Sequence, residues 1–395
     1  MSKALGMRCV WGLCGVLAGV FGLAAESRAE VTSDTSGSIM VYPKVVYSGG
    51  RDTVIQLSNT SNNVVYAWCF YMDASPLNGR PRWDVTDFHV VLTKQQPTHW
   101  VASQGRQVNN NDNFTDPVQD GAGLDPGAIP PVAEGFMGEL KCVQTDASGT
   151  PFGGNNLKGE AVLITETGDV SKYNGLAITA NPDLASDGDP YELLLNNTAF
   201  NDGEYNSCPD TLLVDHFSDG ASACGAEDGD ECPIRPYITL VPCSQDFENL
   251  IPEQVTVQFE IFNEFENVFS TSTTVDCWLM TRLADIDVGT GTCSISSTPC
   301  ATDASCLGGA GDLCSKPASV FSFGVLGTNS ALTTIQPVGL HGGVIGIGEE
   351  QHFASGGSDS AWTAWNLHQS GTRYDATIDT EGGPRVDRIR ITTPF

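Results

Sequence analysis

Asp52–Tyr71 reads DTVIQLSNTSNNVVYAWCFY, and Gln254–Met280 reads QVTVQFEIFNEFENVFSTSTTVDCWLM. Both begin with an apolar-alternating run, the period-2 pattern of a half-buried strand. Each run ends at an asparagine, Asn59 or Asn263. A polar turn follows, where Asx side chains bond their own backbone. A second strand then carries a Cys beside a Trp: Trp68-Cys69 in one stretch, Cys277-Trp278 in the other. Read alone, each stretch predicts a hairpin at the centre of a β-sandwich, and the recurrence predicts a duplicated unit. Both are preceded by a strand containing proline, Ile39–Tyr47 (IMVYPKVVY) and Tyr237–Cys243 (YITLVPC). Pro43 is tolerated at a sheet edge or a bulge.

The expected fold is therefore all-β: two tandem antiparallel, immunoglobulin-like β-sandwich domains with long loops and a disulfide-rich excursion. A length of 395 residues suits two domains plus insertions. Forty-three Gly and 21 Pro favour strands and turns over helices, and 40% apolar content excludes global disorder. The expected organisation is a leader at 1–29, a mobile lead-in at 30–38, a first domain at 39–235 and a second at 236–395. The first domain carries a long loop at 104–135 and an acidic Cys loop at 208–232. The second carries a Cys-rich excursion at 293–314. A brief helix is expected near Asp189–Leu195. Strands are expected at Phe136–Thr145, Glu160–Thr165, Ser319–Leu326, Gly342–Ile347 and Arg385–Thr392.

Residues 1–29 have the form of a cleavable export signal. Lys3 and Arg8 form a basic start, Val10–Ala25 an apolar core, and Ser27-Arg28-Ala29 places small residues for cleavage before Glu30. The expected location is extracellular, periplasmic or on the cell surface, with no transmembrane segment in the mature chain. The net charge is −29; Lys3, Arg8 and Arg28 against Glu26 give the leader +2, which leaves −31 on the rest. Such a field repels nucleic acid and anionic membrane, and suits divalent cations, a cationic partner or plain solubility.

Two of the 13 cysteines leave with the leader. The other 11 are an odd number, so one stays unpaired or pairs between chains. Candidates for bridges include Cys69, Cys142, Cys243, Cys277, Cys293, Cys300, Cys306 and Cys314. The phrases DTVIQLSNTSNN, LTKQQPTHW, GELKCVQTD and TPCATDASC resemble exported bacterial surface proteins of unassigned activity with tandem immunoglobulin- or fibronectin-like modules. By that likeness Cys69 would bridge sheets to Cys142, and Cys277 to Cys243. It brings no catalytic motif.

Chemistry is sparse. The sequence has no H-E-x-x-H, G-x-S-x-G, Walker or Rossmann motif. No cofactor is expected. Calcium, which takes several hard oxygens, would suit Asp183, Asp187 and Asp189, or Asp228, Asp230 and Glu231. An alternative metal set is His341, Glu349, Glu350 and His352, if a hairpin made them converge. Trp83, Trp100, Trp362 and Trp365 are candidate platforms for a sugar ring. The favoured function is a non-enzymatic structural or adhesion-type interaction protein, its partner an extracellular protein or glycan. The alternatives are a carbohydrate-binding protein, calcium-assisted or not, and a secreted hydrolase built on carboxylates or the Glu/His set.

Overall fold

The computed structural model describes residues 31–78, 80–108, 124–181, 188–197, 203–222, 224, 232–286, 291–300, 306, 308, 311–315, 317–338, 342–355, 360–371 and 386–392. The leader, residues 109–123 of the long loop and residues 301–305, 307 and 309–310 of the Cys-rich excursion lie outside these residues.

The protein is all-β, with 59% strand, but its sheets form a four-blade, β-propeller-like arrangement and not two tandem immunoglobulin-like sandwiches. The opening stretches show why the expectation fails. Arg51–Asn59 pairs with Leu157–Thr165 and Pro97–Val101, whereas Val65–Asp73 pairs with Asp84–Leu92 and Phe136–Thr145. The first stretch is thus an arch that crosses from one sheet to another. The second is a true hairpin, Gln254–Asn263 on Val268–Asp276, and its Cys-Trp pair falls after the second strand. Only the asparagine chemistry repeats. Asn59 Oδ1 accepts from Ser61 N, and Asn263 Oδ1 accepts from Phe265 N and Asn267 N.

Three cores separate the sheets. The first lies between a six-stranded and a four-stranded sheet of the N-terminal half and contains Tyr42, Ile55, Leu57, Tyr71 and Trp100. The third lies between a five-stranded sheet, which holds the 254–276 hairpin, and a C-terminal four-stranded sheet; Leu240, Phe259, Phe321 and Ile335 fill it. The second core draws on both halves of the chain: Ile39, Val41, Trp68 and Phe70 meet Leu193, Val241, Ile345 and Ile389. A strand covered on both faces must be apolar on both. Ile39–Tyr47 is such a strand: Met40 and Tyr42 enter the first core, Ile39 and Val41 the second. It is accordingly an interior strand, between Leu176–Ile178 and Phe136–Thr145, and not an edge.

Pro43 is accommodated by a shift of register between Tyr42 and Val45. Such a bulge re-aims nearby groups. Here it offers the Pro43 carbonyl to Trp278 Nε1, 2.7 Å away, and turns the Lys44 ammonium toward Glu349. Lys44 and Glu349 are fully buried, and Arg51 donates to the other Glu349 oxygen at 2.8 Å. Burial pushes Glu349 up, but its two cations together hold it below the ordinary 4.5. Burial pushes Lys44 down to about 8 despite Glu349. A second buried network joins the halves: Lys141 donates to Glu139 at 2.7 Å and to Gln245, and Gln245 donates to Glu139. With one cation instead of two, burial wins there, and Glu139 is raised.

Five disulfides form, and Cys277 alone is free among the described cysteines. Cys69 and Cys142 pair, but as direct neighbours on adjacent strands of one sheet and not across sheets. Cys243 pairs with Cys208, not Cys277. Cys277 has a left-handed backbone, φ 63°, where the chain leaves the five-stranded sheet for the C-terminal one. Its thiol is buried, and burial pushes its pKa up. The 293–314 excursion is closed by Cys293–Cys306 and Cys300–Cys314. The lead-in is tied down where Val31 and Thr32 pair with Ile178 and Ala177. Glu192–Asn197 is a strand in place of the expected helix, and Phe323–Leu326 is a helical turn within an expected strand. No helix among the described residues is long and apolar enough to cross a membrane.

Removing one partner of a buried ion pair strands the other and costs about 3–5 kcal/mol. Glu349→Gln leaves Lys44 buried without its counter-ion, whereas Lys44→Met leaves Glu349 with Arg51. Urea unfolding should therefore show the larger loss, about 3–5 kcal/mol, for Glu349→Gln. Glu349 has a depressed folded-state pKa. Its contribution is complete above pH 4.5 and is lost as pH falls through the lower folded-state value. The stability gap between wild type and Glu349→Gln should narrow across that acid window.

Candidate binding cleft

The strand Val344–Phe353 pairs with Ile234–Pro242 on one side and Ser360–Asn366 on the other. Side chains alternate across it. Ile347 and Glu349 face the N-terminal half, as the first core and the Lys44–Arg51 lock show. Gly348 and Glu350 face the opposite way, beside Trp365 and Thr363 of the neighbouring strand. Glu350, Thr363 and Trp365 line one wall of a cleft of about 890 Å³, with Gly348 beneath the Trp365 ring.

The other wall is the five-stranded sheet. In Thr211–Phe217, Leu212, Val214 and His216 are buried, while Asp215 and Phe217 are exposed. Register continues from Asp215 to Leu332, from Leu332 to Phe262 and from Phe262 to Val268. The result is a row across four strands that is apolar after Asp215. Leu332 is 39% and Val268 53% exposed, and Phe217 at the cleft is 37% exposed. Alternation ordinarily gives such outward positions to polar residues.

Trp365 lies directly over Gly348: a Cβ placed there would come within 2.7 Å of the indole ring. The missing side chain lets the indole lie against the sheet. Glu350 is held at both oxygens, accepting from Phe217 N at 2.9 Å and from His352 Nε2 at 3.0 Å. The bond from Phe217 N tethers the two walls, and His352, on Glu350's own strand, fixes the other oxygen. His216 places Nδ1 against the Phe217 carbonyl and Nε2 against Thr333 Oγ1, each 2.8 Å. A carbonyl only accepts, so the proton sits on Nδ1 and Thr333 donates to Nε2. Burial lowers the His216 pKa and keeps the ring neutral. Glu264 accepts from Ser330 N and Oγ at 3.0 and 2.8 Å.

Of the four tryptophans singled out in the sequence, only Trp365 lines this cleft. Trp83 is buried against Phe247, with rings 6.1 Å apart. Trp100 is buried and bonded to Tyr71. Trp362 is half-buried, under the Arg51 guanidinium at 4.3 Å. Glu349 and Glu350 point to opposite faces, so the Glu/His metal set does not converge; His341 lies outside the described residues. So do Asp183, Asp187, Asp228, Asp230 and Glu231. Asp189 accepts from Tyr191 N at 3.0 Å. The described clusters with metal-like spacing, Cys293–Cys300–Cys306 and Cys208–Cys243–Asp387, draw their sulfurs from disulfides, which cannot supply thiolate ligands.

No protein-family model matches the chain, and no curated protein matches it at a significant level.

Gly348→Ala should displace the Trp365 indole while leaving the fold intact, because a side chain and not backbone meets the new methyl. A changed Trp emission spectrum with unchanged far-UV circular dichroism is the expected outcome.

Proposed function

We propose that this is an exported, non-enzymatic interaction protein that binds its partner in the Trp365 cleft. The observation that carries the reading is the cleft itself. It has a volume in the range of ligand sites, with Phe217, Phe262, Leu332 and Trp365 supplying apolar surface among polar groups. Two of its ionisable groups are committed to structure: Glu350 ties the walls together and His216 is sealed with both nitrogens engaged. Acid–base work needs a group free to exchange a proton with substrate, and neither of these is. Five disulfides support an oxidising compartment, in keeping with the leader-like residues 1–29. The chain's acidity supports a partner other than nucleic acid.

A second reading, a carbohydrate-binding protein, is favoured by one observation: the Trp365 ring set over Gly348 as a platform. On that reading a glycan array gives reproducible hits that Trp365→Ala removes. A hydrolase-substrate panel distinguishes both readings from an enzyme. No turnover is expected, and turnover lost in Asp215→Asn or Glu350→Gln would overturn the proposal. Expressed with its leader in a bacterial host, the chain should be recovered with Glu30 as its N-terminus by mass spectrometry. Retention of residues 1–29 would contradict export by this signal.

A further inference from the structure

We infer that the cleft takes an extended peptide segment carrying both apolar and cationic side chains; this rests on the cleft being the binding site. Asp215, Leu332 and Phe262 line the cleft in one row, and Val268 extends that row past the lining onto the sheet's edge strand, four strands in all. Strands lie about 4.8 Å apart, so the row is about 14 Å long, the span of roughly four to five residues of extended chain. A sugar in that row would set its hydroxyls against Leu332, Phe262 and Val268, which return no hydrogen bonds, and so would lose those it made with water. Apolar side chains suit the row at no such cost.

Charge points the same way. Asp215, Glu264 and Glu350 line the cleft, and among its described lining residues there is no Lys or Arg. The chain after the leader carries −31. A cationic partner is drawn by the long-range field and then meets complementary charge at the cleft rim. The face of Trp365 adds a site for an ammonium or guanidinium group. An acidic partner would meet like charge throughout.

The test is titration calorimetry with three probes: a short peptide alternating lysine with leucine, its glutamate-for-lysine counterpart, and a neutral β-glucan oligosaccharide. The lysine peptide should bind, weakening as salt rises, and the glutamate peptide should not. Trp365→Ala and Leu332→Ser leave the net charge unchanged, so they separate the cleft from the general acidic field. Each should weaken the lysine peptide by roughly tenfold or more, as loss of an interface anchor does. Leu332 is 39% exposed, so that variant is expected to fold as wild type. Equal binding of both peptides, or no binding of the lysine peptide, overturns the inference. Oligosaccharide binding lost in Trp365→Ala, with no peptide binding, overturns the ligand class but keeps the cleft. Lysine-peptide binding unchanged in both variants overturns the cleft as well.

Discussion

The buried carboxylate of Glu349, caught between Lys44 and Arg51, is the constraint on which the rest of the molecule depends. A charge taken out of water must find its counter-charges, and these come from strands about 300 residues earlier in the chain. The Pro43 bulge delivers Lys44, and Arg51 begins the next strand. Once Glu349 is fixed, the pleat fixes its neighbours. Gly348 and Glu350 must face the opposite side, and that side is the cleft. One strand therefore carries the lock between the halves on one face and the binding wall on the other. The Glu139–Lys141–Gln245 ring and the Trp278–Pro43 bond reinforce the same junction.

This division of labour accounts for the shape of the cleft. The five-stranded sheet supplies an apolar floor, and the locked strand supplies Trp365 a flat seat at Gly348. Glu350 closes the frame by holding Phe217 N on the far wall. A cleft built by two sheets and braced by one carboxylate presents a preformed surface, so little ordering is left to be done when a partner arrives.

Much of the local structure was legible in the sequence. Alternation marked the runs within 54–59 and 255–261, a strand at 136–145 was expected as well, and the turn chemistry of Asn59 and Asn263 matches the structure. Pairing was not legible. Local patterns report which residues face a core, not which strand lies next door, so an arch and a hairpin carry the same signature. The buried Lys44, Lys141, Glu139 and Glu349 were hidden for a related reason: in sequence a charge reads as surface, and only its partner from the other half permits burial. If the strand expected at 342–347 is carried through to 353, its period alone places Glu349 and Glu350 on opposite faces and dissolves the Glu/His metal set. The floor of the cleft was similarly visible in Phe217 and Leu332, apolar residues at positions in their strands where alternation calls for polar ones.

The two halves share a core and a buried ion lock and so should unfold as one cooperative structure. Differential scanning calorimetry of the intact chain should show a single transition, with calorimetric and van't Hoff enthalpies in agreement. Two separable transitions, one for each half and each insensitive to Glu349→Gln, would contradict it.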